Sequence, residues 1–356
     1  MKILLFLPFL LIPLTGCGNL LYLSKLGWHQ TQVSLGSVPL QTVMDDEKRN
    51  PQTKEKIRLI HKVKSFGEER LHLKKTKNYS KFFDVEGPIL YAVTASEKDR
   101  LRLYRWNFPI TGRVTYKSFF TREDALKEQR SLQEKGYDTL VQGVGAYSTL
   151  GWLNDPIFSS MLNQTEAALA NLILHEMTHA TIYFKGKTNM NEQLASFVGN
   201  RGTIDFLTER FGPESEEVLE AIAIQHDDLL FSRWIDRVSA RMSDFYGQPI
   251  SRDEKLEGRK AIFQSIQEEF KEVKVRLKSN GYQDFDRRPL NNAVVLAYCR
   301  YIHGLERFEA LYEHFGRDLR KVIQFLKQIQ ASGGDPSSLL ETRMKQMGII
   351  AASSRQ

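Results

Sequence analysis

Cysteine is scarce in this chain: 356 residues hold two, Cys17 and Cys299. That is far from the dense cysteine framework that staples small exported domains. Cys299 ends the apolar run Ala293–Cys299 with no second thiolate nearby, which marks it as a buried, inert thiol rather than a metal ligand. Internal repeats, low-complexity tracts and nucleic-acid motifs are absent, and nucleic acid is not an expected partner. Beyond the first sixteen residues, no apolar run is long enough to span a bilayer. Neither sign of charge dominates, with 50 Lys and Arg against 43 Asp and Glu for a formal charge of +7. The basic residues gathered in Lys54–Lys81 and Arg252–Lys278 are interleaved with acidic ones at helical spacing, the pattern of solvated helix faces. Such faces allow at most a modest attraction to anionic lipid or cell-wall polymer.

What is present is 41% hydrophobic residues, enough in a chain of this length for a core of one or two lobes. Ile57, Ile60, Val63 and Phe66 recur at helical spacing and predict a helix over Lys54–Leu73. Three strand-like segments follow, at Pro88–Ala95, at Arg102–Phe120 with a break near Pro109-Ile110-Thr111-Gly112, and at Asp138–Leu150. Arg122–Lys135 reads as a helix between the second and third. From Glu214 the chain is helical, with amphipathic runs at 214–245, 252–278, 288–303, 305–315 and 318–330. The expected fold class is α+β and predominantly helical. Its main domain covers 51–330, preceded by a tether and domain start over 17–50 and followed by a frayed segment over 331–356.

Residues 175–179 read His-Glu-Met-Thr-His, inside a run, Thr165–Phe184, that otherwise looks like a buried helix. Histidines at i and i+4 share one helix face, roughly 6 Å apart, close enough to hold one metal ion. Ala167, Ala168, Leu169, Ala170, Leu172, Ile173 and Leu174 make the helix too apolar for a surface position, with Asn163 as its cap and Glu166 at N3 of a capping box. Burying two histidines and a glutamate without partners would be costly, and a metal resolves that cost. Zn²⁺ suits the site because it takes neutral imidazoles in tetrahedral geometry. It also lowers the pKa of a coordinated water to about 7, and Glu176 is placed to reach that water. Two core histidines bonded to backbone carbonyls are the alternative.

A third ligand is needed, since such sites take three protein ligands and keep one position open. The glycine and third histidine of the extended metzincin pattern are excluded, because Ile182 and Lys185 stand at those positions. After Phe184, Gly186 suits a left-handed helix stop, and Asn189 opens a second helix that carries Asn191-Glu192-Gln193-Leu194-Ala195. So short a connection predicts an antiparallel helix hairpin. Axes about 8–10 Å apart would bring Glu192 to the two histidines. Glu192 also stands three residues after Asn189, the spacing of a capping-box glutamate. Asp205 competes as ligand, because Gly202-Thr203-Ile204-Asp205 is similar to the Gly-Thr-x-Asp of aspartate-liganded zinc proteases, without the Tyr-Gly that follows there. His226, before Asp227-Asp228 in an amphipathic helix, is the remaining candidate.

His-Glu-x-x-His followed by Asn-Glu-x-x-Ala resembles the gluzincin zinc peptidases, in which the second-helix glutamate completes the site. Trp106–Gly112, Ala146–Pro156, the zinc segment and Asn291-Asn292-Ala293 with its trailing tyrosines occur in the same order as similar segments of the predicted aminopeptidase family of bacterial lipoproteins. The resemblance implies a zinc aminopeptidase acting on peptides, with one Zn²⁺ per chain on His175, His179 and Glu192 and with Glu176 as general base. It further implies a zincin-like domain, with a small sheet followed by a zinc-binding helix hairpin and a helical C-terminal part. Two positions depart from the pattern. Ser196 stands where many gluzincins have an aspartate that orients a zinc histidine, and Ser118 follows Tyr116-Lys117 where the family tends to have glycine.

The first residues bear on location. Met1-Lys2 is a short positive start, Ile3–Leu14 an apolar stretch too short to span a bilayer, and Leu14-Thr15-Gly16-Cys17 matches the lipobox of bacterial lipoproteins. That match implies cleavage before Cys17, lipidation of Cys17, and a place in the bacterial cell envelope. There the protein would be anchored to the membrane on its periplasmic side. Gly18 after the cysteine favours the outer membrane in a Gram-negative cell.

Peptide hydrolysis further needs a donor to the developing oxyanion, for which Tyr298 and Tyr301 are the candidates. Ala146–Gly151 offers an edge strand for an extended substrate, or an interior strand with a turn. An aminopeptidase also needs a carboxylate for the substrate ammonium group, and Asp155, Glu166 or Asp205 could serve. The residues leave exo- and endo-cleavage open. They also leave open a non-catalytic envelope lipoprotein whose zinc staples two helices, although a purely structural site has no need of Glu176.

Overall fold

The computed structural model describes residues 17–108, 112–145 and 154–349, in two compact units divided after Gly36. The first unit carries one helix, α1 (Cys17–Gly36). The second opens with β1 (Val38–Pro39), α2 (Leu40–Asp45) and α3 (Pro51–Glu69), and continues with β2 (Lys81–Phe83) and β3 (Leu90–Ser96). Next come β4 (Trp106–Phe108), β5 (Gly112–Val114), β6 (Lys117–Phe119), α4 (Arg122–Glu134), β7 (Asp138–Val144) and β8 (Ile157–Phe158). The helices α5 (Glu166–Thr181), α6 (Thr188–Phe211), α7 (Glu216–Gly247) and α8 (Arg252–Lys274) follow. The last are α9 (Asn292–Ile302), α10 (Glu306–His314), α11 (Leu319–Ala331) and α12 (Pro336–Gln346). The class is α+β and predominantly helical, as the periodicity predicts. Among the described residues, no helix is long and apolar enough to cross a membrane.

Two stretches differ from the sequence reading. Residues 17–50, read as a tether and domain start, carry the helix α1 where a tether was expected, then a strand paired with β2 and a short helix whose Leu40 and Val43 are buried. The stretch after residue 331, read as frayed, contains α12. Asp335 caps this helix by accepting from the Ser338 N–H, and Leu340 and Met344, four residues apart, are buried. The serines and glycines there form the turn before the helix, with Gly333 and Gly334 both at positive φ.

The strands form small sheets. The largest ladder is antiparallel, with β3 between β6 and β7, and Val93 opposite Val141. Strands β4 and β5 make a hairpin across the predicted break, whose residues 109–111 lie outside the described set. The predicted third strand runs from Asp138 to Val144, and its continuation through 146–153 lies outside the described residues.

The core gathers on α5, which packs against α3, α6 and α7. Leu169, Ala170, Ile173 and Leu174 are fully buried, as expected of a helix apolar almost all round. Its cap is Thr165, whose hydroxyl accepts from the Ala168 N–H, and Glu166 is the first helical residue. Asn163 instead ends a 3₁₀ turn over Ser159–Asn163. Both Asn163 and Thr165 have capping side chains, and the turn, by taking the first, leaves the second. Helix α6 lies close to α5 because Gly199 faces Asn171. A Cβ there would meet the Asn171 carbonyl oxygen at 3.1 Å, so a larger residue would push the two helices apart.

Candidate metal centre

The hairpin of α5 and α6 brings three side chains to one point. On α5, His175 and His179 project from successive turns with ring centroids 4.8 Å apart. The connection then reverses the chain, with Gly186 at φ 74°, the left-handed conformation glycine adopts without penalty. Asn191 secures it. Its carbonyl accepts from the Phe184 N–H at 2.8 Å and its amide donates to the Phe184 carbonyl at 2.9 Å. This clasp sets the register of the next residue, Glu192, against the histidines. Helix α6 begins at Thr188 without a side-chain cap, so the capping-box alternative for Glu192 does not apply.

His175 Nε2 lies 3.1 Å from His179 Nε2, and Glu192 Oε2 lies 3.3 Å from the first and 3.4 Å from the second. Tetrahedral zinc, with bonds of about 2.0–2.1 Å, sets neighbouring ligand atoms about 3.3 Å apart. The triangle has that edge on all sides, and no other group of three such residues converges in this way among the described residues. The residues present therefore fit one zinc ion, with a face left for a further ligand.

Electrostatics within the site follow from burial and from this crowding. Burial pushes Glu176 above the usual carboxylate range, and the Glu192 charge adds to this while the histidines oppose it. Burial also disfavours ionised Glu192, but hydrogen bonding to His175 and His179 outweighs it and holds the carboxyl well below its ordinary value. His179 is lowered by burial and raised more strongly by Glu192 and Glu176. Its Nδ1 is buried without a partner among the described residues. Ser196, one turn beyond Glu192, makes no hydrogen bond to either histidine among the described residues.

The other candidates separate. Tyr301 on α9 stands beside the site, its ring 6.4 Å from that of His175 and the residue 40% exposed. Tyr298, one turn earlier, packs instead into an aromatic cluster with Phe231, Tyr282 and Phe285. This corrects its reading as an oxyanion donor, since a residue three positions away on a helix faces the same general side but contacts a different neighbour. His226 binds Asp227, whose carboxylate accepts from the Lys278 and Ser279 N–H groups. Glu166 stands at the start of α5, about 13 Å along the axis from His175. Asp155 is buried and bonded to Asn78 at 3.1 Å. Its charge and that of Glu176 both bear on the buried phenol of Tyr79. The strand proposed over Ala146–Gly151 lies outside the described residues. Cys299 is buried, its thiol pushed up to about 12 by burial, in keeping with an inert group.

Asp205 is not at the metal site. It lies about 20 Å along α6 from Glu192 and lines a separate cavity of about 540 Å³ with Arg70, Arg317, Asp318 and Arg320. Burial, with Asp318 adding and Arg201 opposing, raises its carboxyl to about 6. The folded state thus holds a proton that the unfolded state has lost, and stability falls as pH rises from about 4 through 6. Asp205→Asn is expected to stabilise the protein by about 1–2 kcal/mol at pH 8 and to change little at pH 4. Chemical denaturation at the two pH values measures the difference, and equal effects at both would contradict the assignment.

Sequence reasoning missed four residues around the site. Tyr79, Tyr116 and Tyr183 are each raised by burial first and then by the site's carboxylates. Arg300 lies with its guanidinium 5.0 Å from the centroid of the Tyr116 ring. Only Tyr183, beside the hairpin turn, could have been placed there from spacing. The other three arrive from distant segments.

A family model described as "Putative aminopeptidase" matches residues 21–336. Searches of curated proteins and of solved structures found no match.

Proposed function

The chain belongs to this aminopeptidase family, and from that premise we propose that it is a zinc-dependent peptidase, and specifically an aminopeptidase, carried on the bacterial cell envelope by a lipid on Cys17. The observation that carries the zinc reading is the triangle of His175, His179 and Glu192 at zinc-like spacing. Held there, Zn²⁺ supplies Lewis acidity toward a substrate carbonyl and makes water a nucleophile near neutral pH. Glu176, next to His175 and buried, accepts the proton of the attacking water and returns it to the leaving amine. Tyr301, half-exposed beside His175, donates its O–H to the developing oxyanion.

Digestion of a peptide library by the zinc-loaded protein tests this reading, with Glu176→Gln as the blank. Cleavage confined to free amino termini supports the aminopeptidase. Internal cuts would replace it with an endopeptidase, and digestion equal to the blank would leave a zinc-stapled envelope protein.

Envelope anchoring rests on Leu14-Thr15-Gly16-Cys17. Each CH₂ of acyl chain buried in a bilayer contributes about 0.8 kcal/mol, and two or more chains make the anchor stable. Wild type is expected to partition into detergent with the membrane fraction, and Cys17→Ser to lose acylation. Soluble wild type with a free Cys17 thiol would overturn the anchor.

A further inference from the structure

The cavity at Asp205 is bounded by the C-terminal end of α3, the middle of α6 and the start of α11. Its volume of about 540 Å³ is in the range of small-molecule sites. Phe66, Leu71 and Leu319, all buried, give it an apolar floor.

The charged lining is unevenly satisfied. Arg70 is bonded through Nε and Nη2 to Glu209. Arg320 is bonded in the same way to Asp318, and Arg317 through Nε to Glu313. A guanidinium has five N–H donors, so each arginine keeps donors with no protein partner among the described residues. Asp205 is the reverse case. It is half-buried, yet its carboxylate has neither a hydrogen bond nor an ion pair among the described residues. Arg201, one turn earlier on α6, is held instead by Glu309 and lies over the Tyr312 ring. A carboxylate kept in that position costs stability, as the gain expected from Asp205→Asn expresses. Charges left unrelieved in this way concentrate at functional sites.

The same lining selects among ligands. A metal ion does not fit, because among the described residues three such groups converge to coordination distance only at the metal centre. A simple organic cation would sit among three guanidiniums, and a simple anion would lie against Asp205. A zwitterion meets both signs. Its ammonium supplies the donor that Asp205 lacks. Its carboxylate takes the spare donors of Arg320 in the first turn of α11, where the helix dipole also favours negative charge.

We propose that this cavity binds a free α-amino acid with an apolar side chain, its ammonium on Asp205, its carboxylate on Arg320 and its side chain over Leu71 and Leu319. Binding there does not depend on the peptidase reading, although such amino acids are what an aminopeptidase releases.

The site is expected to respond to pH. Burial raises the Asp205 carboxyl to about 6, with Arg201 opposing and Asp318 adding. Glu69 and Arg70 of α3, Glu209 of α6, Tyr312 of α10, and Arg317 and Arg320 also face it. An ammonium needs that carboxyl ionised, so binding strengthens as pH rises through 6 and is about tenfold weaker at pH 5 than at pH 7.5.

Calorimetry on the zinc-loaded full chain tests this with free leucine. Leucine amide, which lacks the carboxylate, and N-acetyl-leucine, which lacks the ammonium, are the controls. Leucine is expected to bind, and each control to bind at least tenfold more weakly. Asp205→Asn and Arg320→Gln should each weaken leucine at least tenfold at pH 7.5, the worth of a hydrogen bond to a charged group, with zinc content and peptide turnover at wild-type levels. Leucine held at the metal centre as a product would instead be lost from Glu192→Gln and kept by Asp205→Asn, and that pattern would overturn the proposal. So would leucine amide binding as tightly as leucine, an affinity equal at the two pH values, or no saturable binding to wild type. A chain that binds leucine through Asp205 yet cleaves no peptide would remove the peptidase reading and leave this site in place.

Discussion

Glu176→Gln is expected to keep its zinc and its fold while losing peptide turnover by roughly 10²- to 10⁴-fold, the usual worth of a general acid–base group. The substitution preserves shape and removes only the ability to take up and release a proton. The Glu176 side chain makes no hydrogen bond among the described residues and is not one of the three converging ligands, so the metal triangle does not depend on it. Burial already disfavours its charge, so replacing it by a neutral amide should leave the melting temperature unchanged or slightly raised. Turnover and zinc content measured on the same preparation separate the possibilities. Full activity in the variant would remove Glu176 from the chemistry, and loss of zinc with activity would make it structural.

The second large effect concerns the metal. His175→Ala and Glu192→Gln should each lower zinc affinity by more than the 10- to 100-fold typical of a group that only supports a ligand, because each removes one of three donors. Asp205→Asn should retain zinc fully, since that carboxylate lies in another cavity. Metal analysis after dialysis against a weak chelator reads all three. Zinc retained by Glu192→Gln beside zinc lost from Asp205→Asn would reverse the ligand assignment. The Glu192 variant is the more informative of the first two. Its donor comes from a different helix, so its loss tests the hairpin geometry as well as the pair on α5.

Much of the site could be read from short-range pattern. His175 and His179 are one turn apart, and a helix of the observed apolarity puts them on one face whatever surrounds it. Glu192 was within reach because only a short connection, with Gly186 to reverse it, separates the two helices. The same locality explains the agreement over α3, α4 and the long C-terminal helices, whose boundaries shift by a few residues at most. Where two local signals competed, as with Asn163 and Thr165 for the cap of α5, the sequence had no means of choosing. The neighbouring 3₁₀ turn decided.

The chain alone therefore determined the helix class, the two histidines with the glutamate between them, and the short hairpin, all of which depend on residues within about thirty positions of one another. Tertiary structure decided the rest. Tyr301 faces the site and Tyr298 does not, because α9 is docked on α6 through the hydrogen bond from Gln193 to the Cys299 carbonyl, and its rotation there is set by contacts with α7 and the sheet. Arg300 meets Thr94 and Thr115 across about two hundred residues of chain, and Asp205 is removed from the metal by the length of α6. Periodicity reports which face of an element is apolar, but it carries no information about which distant element covers that face. Proximity of that kind is created only when the buried surfaces pack.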